Sequence, residues 1–222
     1  MILVPTQSLD DWKRLLADPE KHWKIGYSAH ALASAWRQCE GFPSEISKLM
    51  DQDPSTRGAT LLLAIPEHKV PLAGGARASQ TDLWVLARTP EGLLSVAVEG
   101  KVNESFGPTV GEWQTDSSAG KQQRWVALCK LLEIDQQCDF AIRYQLFHRT
   151  ASALIEAKRF FARGAVVVVH SFSETSESFG DFQHFVQLMG GRIQRPGQLV
   201  SVPPREGIQL SFGWAQGKIP AS

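Results

Sequence analysis

The stretch that most constrains the fold runs from Ala78 to Lys101. It reads Ala-Ser-Gln-Thr-Asp-Leu-Trp-Val-Leu-Ala-Arg, a Thr-Pro-Glu-Gly break, then Leu-Leu-Ser-Val-Ala-Val-Glu-Gly-Lys. Two apolar runs rich in β-branched residues around a Pro/Gly turn predict a β-hairpin. Whether the turn closes with Arg88 opposite Leu93 or with Thr89 opposite Gly92, the register is the same, and it sets Asp82 directly opposite Glu99. Directly opposed Cβ atoms lie roughly 4.5 to 5.5 Å apart.

Two carboxylates held that close repel, so the pairing implies that one is protonated or that a cation sits between them. A hard divalent metal is the natural candidate. Lys101 lies two residues beyond Glu99 and shares its strand face. The small residues Ser95 and Ala97 lie on that face too, while Leu94, Val96 and Val98 turn to the other face and into a core.

An Asp at the start of one strand and an acidic-x-Lys at the end of the next resemble the signature of the PD-(D/E)xK nuclease superfamily, the restriction-endonuclease-like fold. Asp82, Glu99 and Lys101 match that signature. Thr81 stands where the family's Pro would precede the Asp. The resemblance is to an uncharacterised bacterial branch. It implies a metal-dependent nuclease in which Asp82 and Glu99 bind Mg²⁺ or Mn²⁺, the ion activates a water, and Lys101 orients that water or stabilises the phosphorane. It also implies that Gln145, just beyond the motif, assists near the water, with polar filler on an exposed strand face as the plain alternative. An acid on a preceding helix sometimes completes the metal site. Glu45 is the better candidate and Glu40 the other, each set against an ordinary surface acid at a helix end.

The partners implied are nucleic acid, DNA before RNA, with room for a homodimer. Two further readings stay open: a nuclease-fold relative that has lost catalysis and works as a binding or regulatory module, and a Mg²⁺-dependent hydrolase of small phosphate esters. The formal net charge is zero, from 23 Lys plus Arg and 23 Asp plus Glu. That argues against a protein that coats nucleic acid by bulk charge, though not against a local basic groove. His148, Arg149, Lys158, Arg159 and Arg163, with Lys121 and Arg124, are candidates for such a groove; solvated helix faces are the alternative.

Composition, 43% hydrophobic and 21% charged, is that of a chain able to bury a full core. Cys39, Cys129 and Cys138 lack metal-ligand spacing and read as reduced thiols in a cytoplasmic protein. Met1-Ile-Leu-Val-Pro has no basic flank and is too short for a signal segment, and the longest purely apolar run, Ala165 to Val169, does not reach across a membrane. The histidines show no zinc spacing, and no phosphate-binding Gly loop or nucleophile elbow is present.

Taken in order, the chain predicts helices over Leu9–Leu16, from Ser28 through Cys39 and from a start at Phe42-Pro43-Ser44-Glu45 through Met50, then a strand at Thr60–Ile65, extended or returning at Lys69–Leu72, before the hairpin. An irregular loop carries Glu104 and Glu112, which are either accessory to the metal site or solvated acids. A helix over Gly120–Leu132 follows. Phe140 to Phe147 alternates and predicts a strand, with Thr150 capping a helix through Arg163. Ala165–His170 is a strand buried on both faces, Phe179–Met189 a helix, and Leu199–Val202 with Ile208–Trp214 an antiparallel pair. The fold class expected is α/β, a mixed central sheet flanked by helices, with residues 1–222 as one domain.

Overall fold

The computed structural model describes residues 8–116 and 118–219. The N-terminal Met1-Ile-Leu-Val-Pro, too short for a signal segment, lies outside them. Among the described residues six strands form one sheet: β1 (Thr60–Val70), β2 (Ser79–Thr89), β3 (Gly92–Lys101), β4 (Gly164–Ser171), β5 (Leu199–Arg205) and β6 (Ile208–Gln216). Their spatial order is β1-β2-β3-β4-β6-β5. The pairs β1/β2, β2/β3 and β5/β6 are antiparallel, whereas β3/β4 and β4/β6 are parallel. The fold is thus α/β with a mixed sheet flanked by helices. Before the sheet come α1 (Leu9–Lys13), α2 (Pro19–His22), α3 (Ser28–Arg37) and α4 (Ser44–Met50). Between β3 and β4 lie α5 (Val110–Gln114), α6 (Ala119–Leu132) and α7 (Tyr144–Arg159), and α8 (Phe179–Leu188) leads to β5.

Strand alternation builds a separate core on each face of the sheet. Leu83, Val85, Leu94, Val96, Val98, Val166 and Val168 pack with Trp12, Leu32, Trp36, Ile46 and Leu49 from α1, α3 and α4. On the other face Ala97, Ala165, Val167, Val169, Phe212 and Trp214 meet Leu128, Phe147, Ala151, Leu154, Phe182 and Phe185 from α6, α7 and α8. β4 is apolar from Ala165 to Val169 because it feeds both cores, and it is buried along its whole length.

The hairpin register is as the turn predicts, with both Arg88–Leu93 and Thr89–Gly92 paired. β1 continues past Pro66 to Val70, and a proline within it is compatible with its place at the edge of the sheet. Ser28 does not cap α3 with its side chain; Tyr27 occupies the cap position, and the Ser28 N–H donates to Glu104 Oε1 at 2.9 Å.

The expected strand over Phe140–Phe147 is corrected. Residues 139–142 form a turn in which Asp139 Oδ1 accepts the Ala141 N–H at 2.9 Å, and α7 begins at Tyr144. Thr150 therefore lies inside that helix, its hydroxyl donating to the Leu146 carbonyl at 2.8 Å. The physical reason is that Phe140 to Phe147 spans this turn and only the first residues of α7, where alternation imitates a strand, while the helical stripe of Gln145, His148, Arg149, Ser152 and Glu156 begins at the end of that window. Composition favours the helix, since only Thr150 and Ile155 are β-branched between Tyr144 and Arg159. Val110–Trp113, read as irregular, opens a short helix capped by Thr109 and Glu112. No described helix is long and apolar enough to cross a membrane.

Candidate functional site

Asp82, Glu99 and Lys101 come together at the carboxyl end of β3, where the sheet changes from antiparallel to parallel pairing. Crevices at the carboxyl ends of parallel strands are the usual ligand positions of open α/β sheets. The β2/β3 ladder is paired as far as Leu83–Val98. One step beyond, Asp82 stands at the level of Glu99, and its Oδ2 accepts the Gly100 N–H at 2.9 Å. The aspartate side chain thus replaces the ladder and fixes its own position against β3.

Glu99 is the hub. Its Oε1 accepts Lys101 Nζ at 2.8 Å and Gln145 Nε2 at 2.6 Å, and its Oε2 accepts Arg149 Nε at 2.6 Å. Gln145 and Arg149 sit one turn apart on α7, so one helix face delivers both to the carboxylate. Gln145 reaches Glu99 from this helix and not from a neighbouring strand. Arg149 also approaches Asp82 Oδ1, at 3.6 Å from one of its terminal nitrogens, and its other terminal nitrogen donates to Ser79 Oγ at 3.3 Å. The cation between the opposed acids is therefore a guanidinium. Lys101 Nζ, besides its bond to Glu99, lies over the Phe106 ring at 4.8 Å from the centroid.

The electrostatics follow from this geometry. Burial works against charge on Glu99, whose side chain is 5% exposed, but Arg149 and Lys101 outweigh it and hold the carboxyl down at about 2. Asp82 has the weaker share of the cations. Burial, and then the charge of Glu99, raise it to about 7, although its side chain keeps 23% of its surface exposed. That exposed edge is where solvent reaches the pair.

Sequence reasoning missed two members of the site. Arg149 was assigned to a basic surface, yet it is buried; its i, i+4 relation to Gln145 becomes a signal only once α7 is recognised as a helix. Glu67 belongs to β1, between the pairs Pro66–Leu83 and His68–Thr81, which puts it at the level of Asp82. Its φ of 53° lies in the left-handed region, uncommon for a residue with a Cβ, and its Oε2 accepts Gln80 Nε2 at 2.6 Å. Burial and the charge of Asp82 raise its carboxyl to about 8. The site thus sets three carboxylates (Glu67, Asp82, Glu99) against two cations (Lys101, Arg149).

Glu45 is not among them. It hydrogen-bonds His170 Nε2 at 2.8 Å, on the opposite face of the sheet, while Trp36 Nε1 donates to His170 Nδ1 at 3.2 Å. The structure brings Glu40 into no described contact with the pair. Glu104 is taken up by the N–H groups of Ser28 and Val102, and Glu112 by the cap of α5, so neither accessory acid reaches the site. Of the candidate basic groove, Arg149 is inside the site, Arg124 is tied to the carbonyls of Ala73, Gly75 and Arg77, and Lys121 to Asp116 and the Trp113 carbonyl.

Among the described residues no three or more His, Cys, Asp and Glu side chains form a ready metal cluster. An ion here would rest on Asp82 and Glu99 and fill its remaining positions with water and substrate oxygens, the habit of Mg²⁺. The carboxylates fit in kind, and Asp82 Oδ1 is engaged by a long ion pair of 3.6 Å. The space between them is shared with Arg149.

Residues 5–219 match a family model described as a domain of unknown function, DUF6946. The chain belongs to that family. No curated protein and no solved structure matches it.

Proposed function

We propose that the chain is a metal-dependent nuclease of the PD-(D/E)xK kind, hydrolysing phosphodiester bonds in DNA in preference to RNA. The observation that carries this reading is the opposition of Asp82 and Glu99 on adjacent antiparallel strands, with Lys101 and Gln145 both bonded to Glu99. In this reading Asp82 and Glu99 hold Mg²⁺ or Mn²⁺, which when bound supplies Lewis-acid polarisation of a phosphoryl oxygen and a more acidic water. Lys101 places a fixed positive charge beside the carboxylates, where negative charge grows as a phosphorane forms. Gln145 braces Glu99 through its amide N–H and leaves its carbonyl oxygen free to orient a water.

One observation favours a second reading. Glu99 already accepts three hydrogen bonds and has Arg149 as a partner, an arrangement that is stable without an ion and suits a nuclease-fold module that binds and does not cut.

Cleavage of supercoiled plasmid, single-stranded DNA and RNA with Mg²⁺ or Mn²⁺ separates the two. The expected result is metal-dependent cutting, lost in Asp82→Asn and reduced about a hundred- to a thousand-fold in Lys101→Met under single-turnover conditions, with Lys218→Met silent. A Lys101→Met protein that is folded and cuts at the wild-type rate would remove Lys101 from the chemistry. No cutting by wild type, with DNA retarded in a gel, would establish the binding module. Hydrolysis confined to a small phosphodiester such as bis(p-nitrophenyl) phosphate would replace both readings.

A further inference from the structure

Arg149 stands in the one place where the carboxylate pair needs positive charge, and it is built in there. Its Nε is 2.6 Å from Glu99 Oε2, one terminal nitrogen is 3.6 Å from Asp82 Oδ1, and its side chain is 9% exposed. A guanidinium stays charged at any working pH, so it cannot make way for another cation by losing its proton. It has to move. A second set of partners already touches it on the side away from Glu99, Ser79 Oγ at 3.3 Å and His148 Nδ1 at 3.4 Å. Ser79 is itself held to His148 Nδ1 at 2.8 Å, so this group is fixed in advance.

We infer that Arg149 is the resting counter-ion of the Asp82–Glu99 pair, and that a divalent ion and the Arg149 guanidinium occupy the pair in turn. When the ion enters, the Arg149–Glu99 bond opens and the guanidinium is retained by Ser79 and the His148 ring. Lys101 and Gln145 share Glu99 Oε1, whereas among the described residues Arg149 alone holds Oε2, so the exchange frees one carboxylate oxygen and leaves the other braced. The inference rests on the metal-dependent reading above. It makes Arg149 a positioning residue that sets the affinity for the ion, and it accounts for a carboxylate pair that has a counter-charge of its own.

The test uses the full chain and does not depend on activity. Mn²⁺ binding is measured by titration calorimetry, and melting temperature is recorded with and without Mn²⁺, for wild type, Arg149→Met, Arg149→Gln and the Asp82→Asn/Arg149→Met double variant. The expected result is weak binding by wild type and binding at least about ten-fold tighter by Arg149→Met, a difference of about 1.4 kcal/mol. The single variant should also gain more in melting temperature from Mn²⁺, and the double variant should lose both effects. Equal affinities in wild type and both single variants would overturn the exchange and leave the metal reading standing. Absence of Mn²⁺ binding from all proteins would overturn both. If Arg149→Met folds only when Mn²⁺ is present, that rescue is itself the exchange. If it folds in neither condition, Arg149→Gln decides: tighter Mn²⁺ binding than wild type supports the inference, and binding no tighter than wild type overturns it.

Discussion

Replacing Glu99 by Gln tests whether the cluster behaves as a buried charge network. The substitution keeps the shape of the side chain and removes its charge, leaving Lys101 and Arg149 enclosed without their closest anion. Breaking a buried ion pair from one side costs about 3–5 kcal/mol, because the remaining charge stays buried. A compensation is also built in. Part of what holds a proton on Asp82 is the charge of Glu99, so once that charge is gone Asp82 ionises more readily and takes over Arg149 from 3.6 Å. The expected loss is therefore at the lower end, about 3 kcal/mol. For a chain of this size that is roughly 6–12 °C in melting temperature, at about 2–4 °C per kcal/mol. Urea unfolding at pH 7 in a chelator, followed by tryptophan fluorescence, measures it. Adding Arg149→Met to Glu99→Gln should cost less than the sum of the two single losses, since the second change removes a cation the first left stranded. A single-variant loss below about 1 kcal/mol, the range of solvated surface pairs, or strictly additive losses, would refute the argument.

The pH dependence has a definite sign. Asp82 is raised from its ordinary value to about 7 in the folded chain, so between about pH 4 and 7 the native state binds a proton that the unfolded state does not, and stability falls as pH rises through that window. Glu67 acts in the same direction up to about 8. Asp82→Asn should therefore lose less melting temperature than wild type between pH 5 and 7.5 without metal; a constant gap between the two proteins would contradict the raised carboxyl. On the opposite sheet face, a Cβ added at Gly213 would lie 2.6 Å from Leu49 Cδ2 and 2.9 Å from Leu199 Cδ1. Gly213→Ala should cost about 1–3 kcal/mol of overpacking in chemical unfolding, and a neutral result would mean that α4 is free to shift off the sheet.

The hairpin was legible because strand periodicity is strictly two and the turn sets the register. Once Arg88 faces Leu93, Asp82 must come level with Glu99, and Lys101 must share the face of Glu99, whatever else the chain does. The apolar run in β4 and the closing pair of β5 and β6 were legible for the same local reason. The helix α7 was not, since its first residues continue the alternation of Phe140 to Ile142 like a strand, and its polar stripe of Gln145, His148, Arg149, Ser152 and Glu156 shows only over a longer window. With α7 misread, the spacing of Gln145 and Arg149 carried no message.

The occupant of the space between the acids is a tertiary fact. The sequence implies that two opposed carboxylates need a proton on one of them or a cation between them; packing supplied the cation, by bringing a guanidinium from 50 residues away along the chain onto Glu99. Packing also drew Glu45 away from the pair to His170, 125 residues distant, because α4 covers the other face of the sheet. Local pattern fixes what a strand presents on each face, because Cβ direction alternates regardless of context. Which helix closes over that face, and with which side chains, depends on how both cores fill, and no short window of sequence contains that.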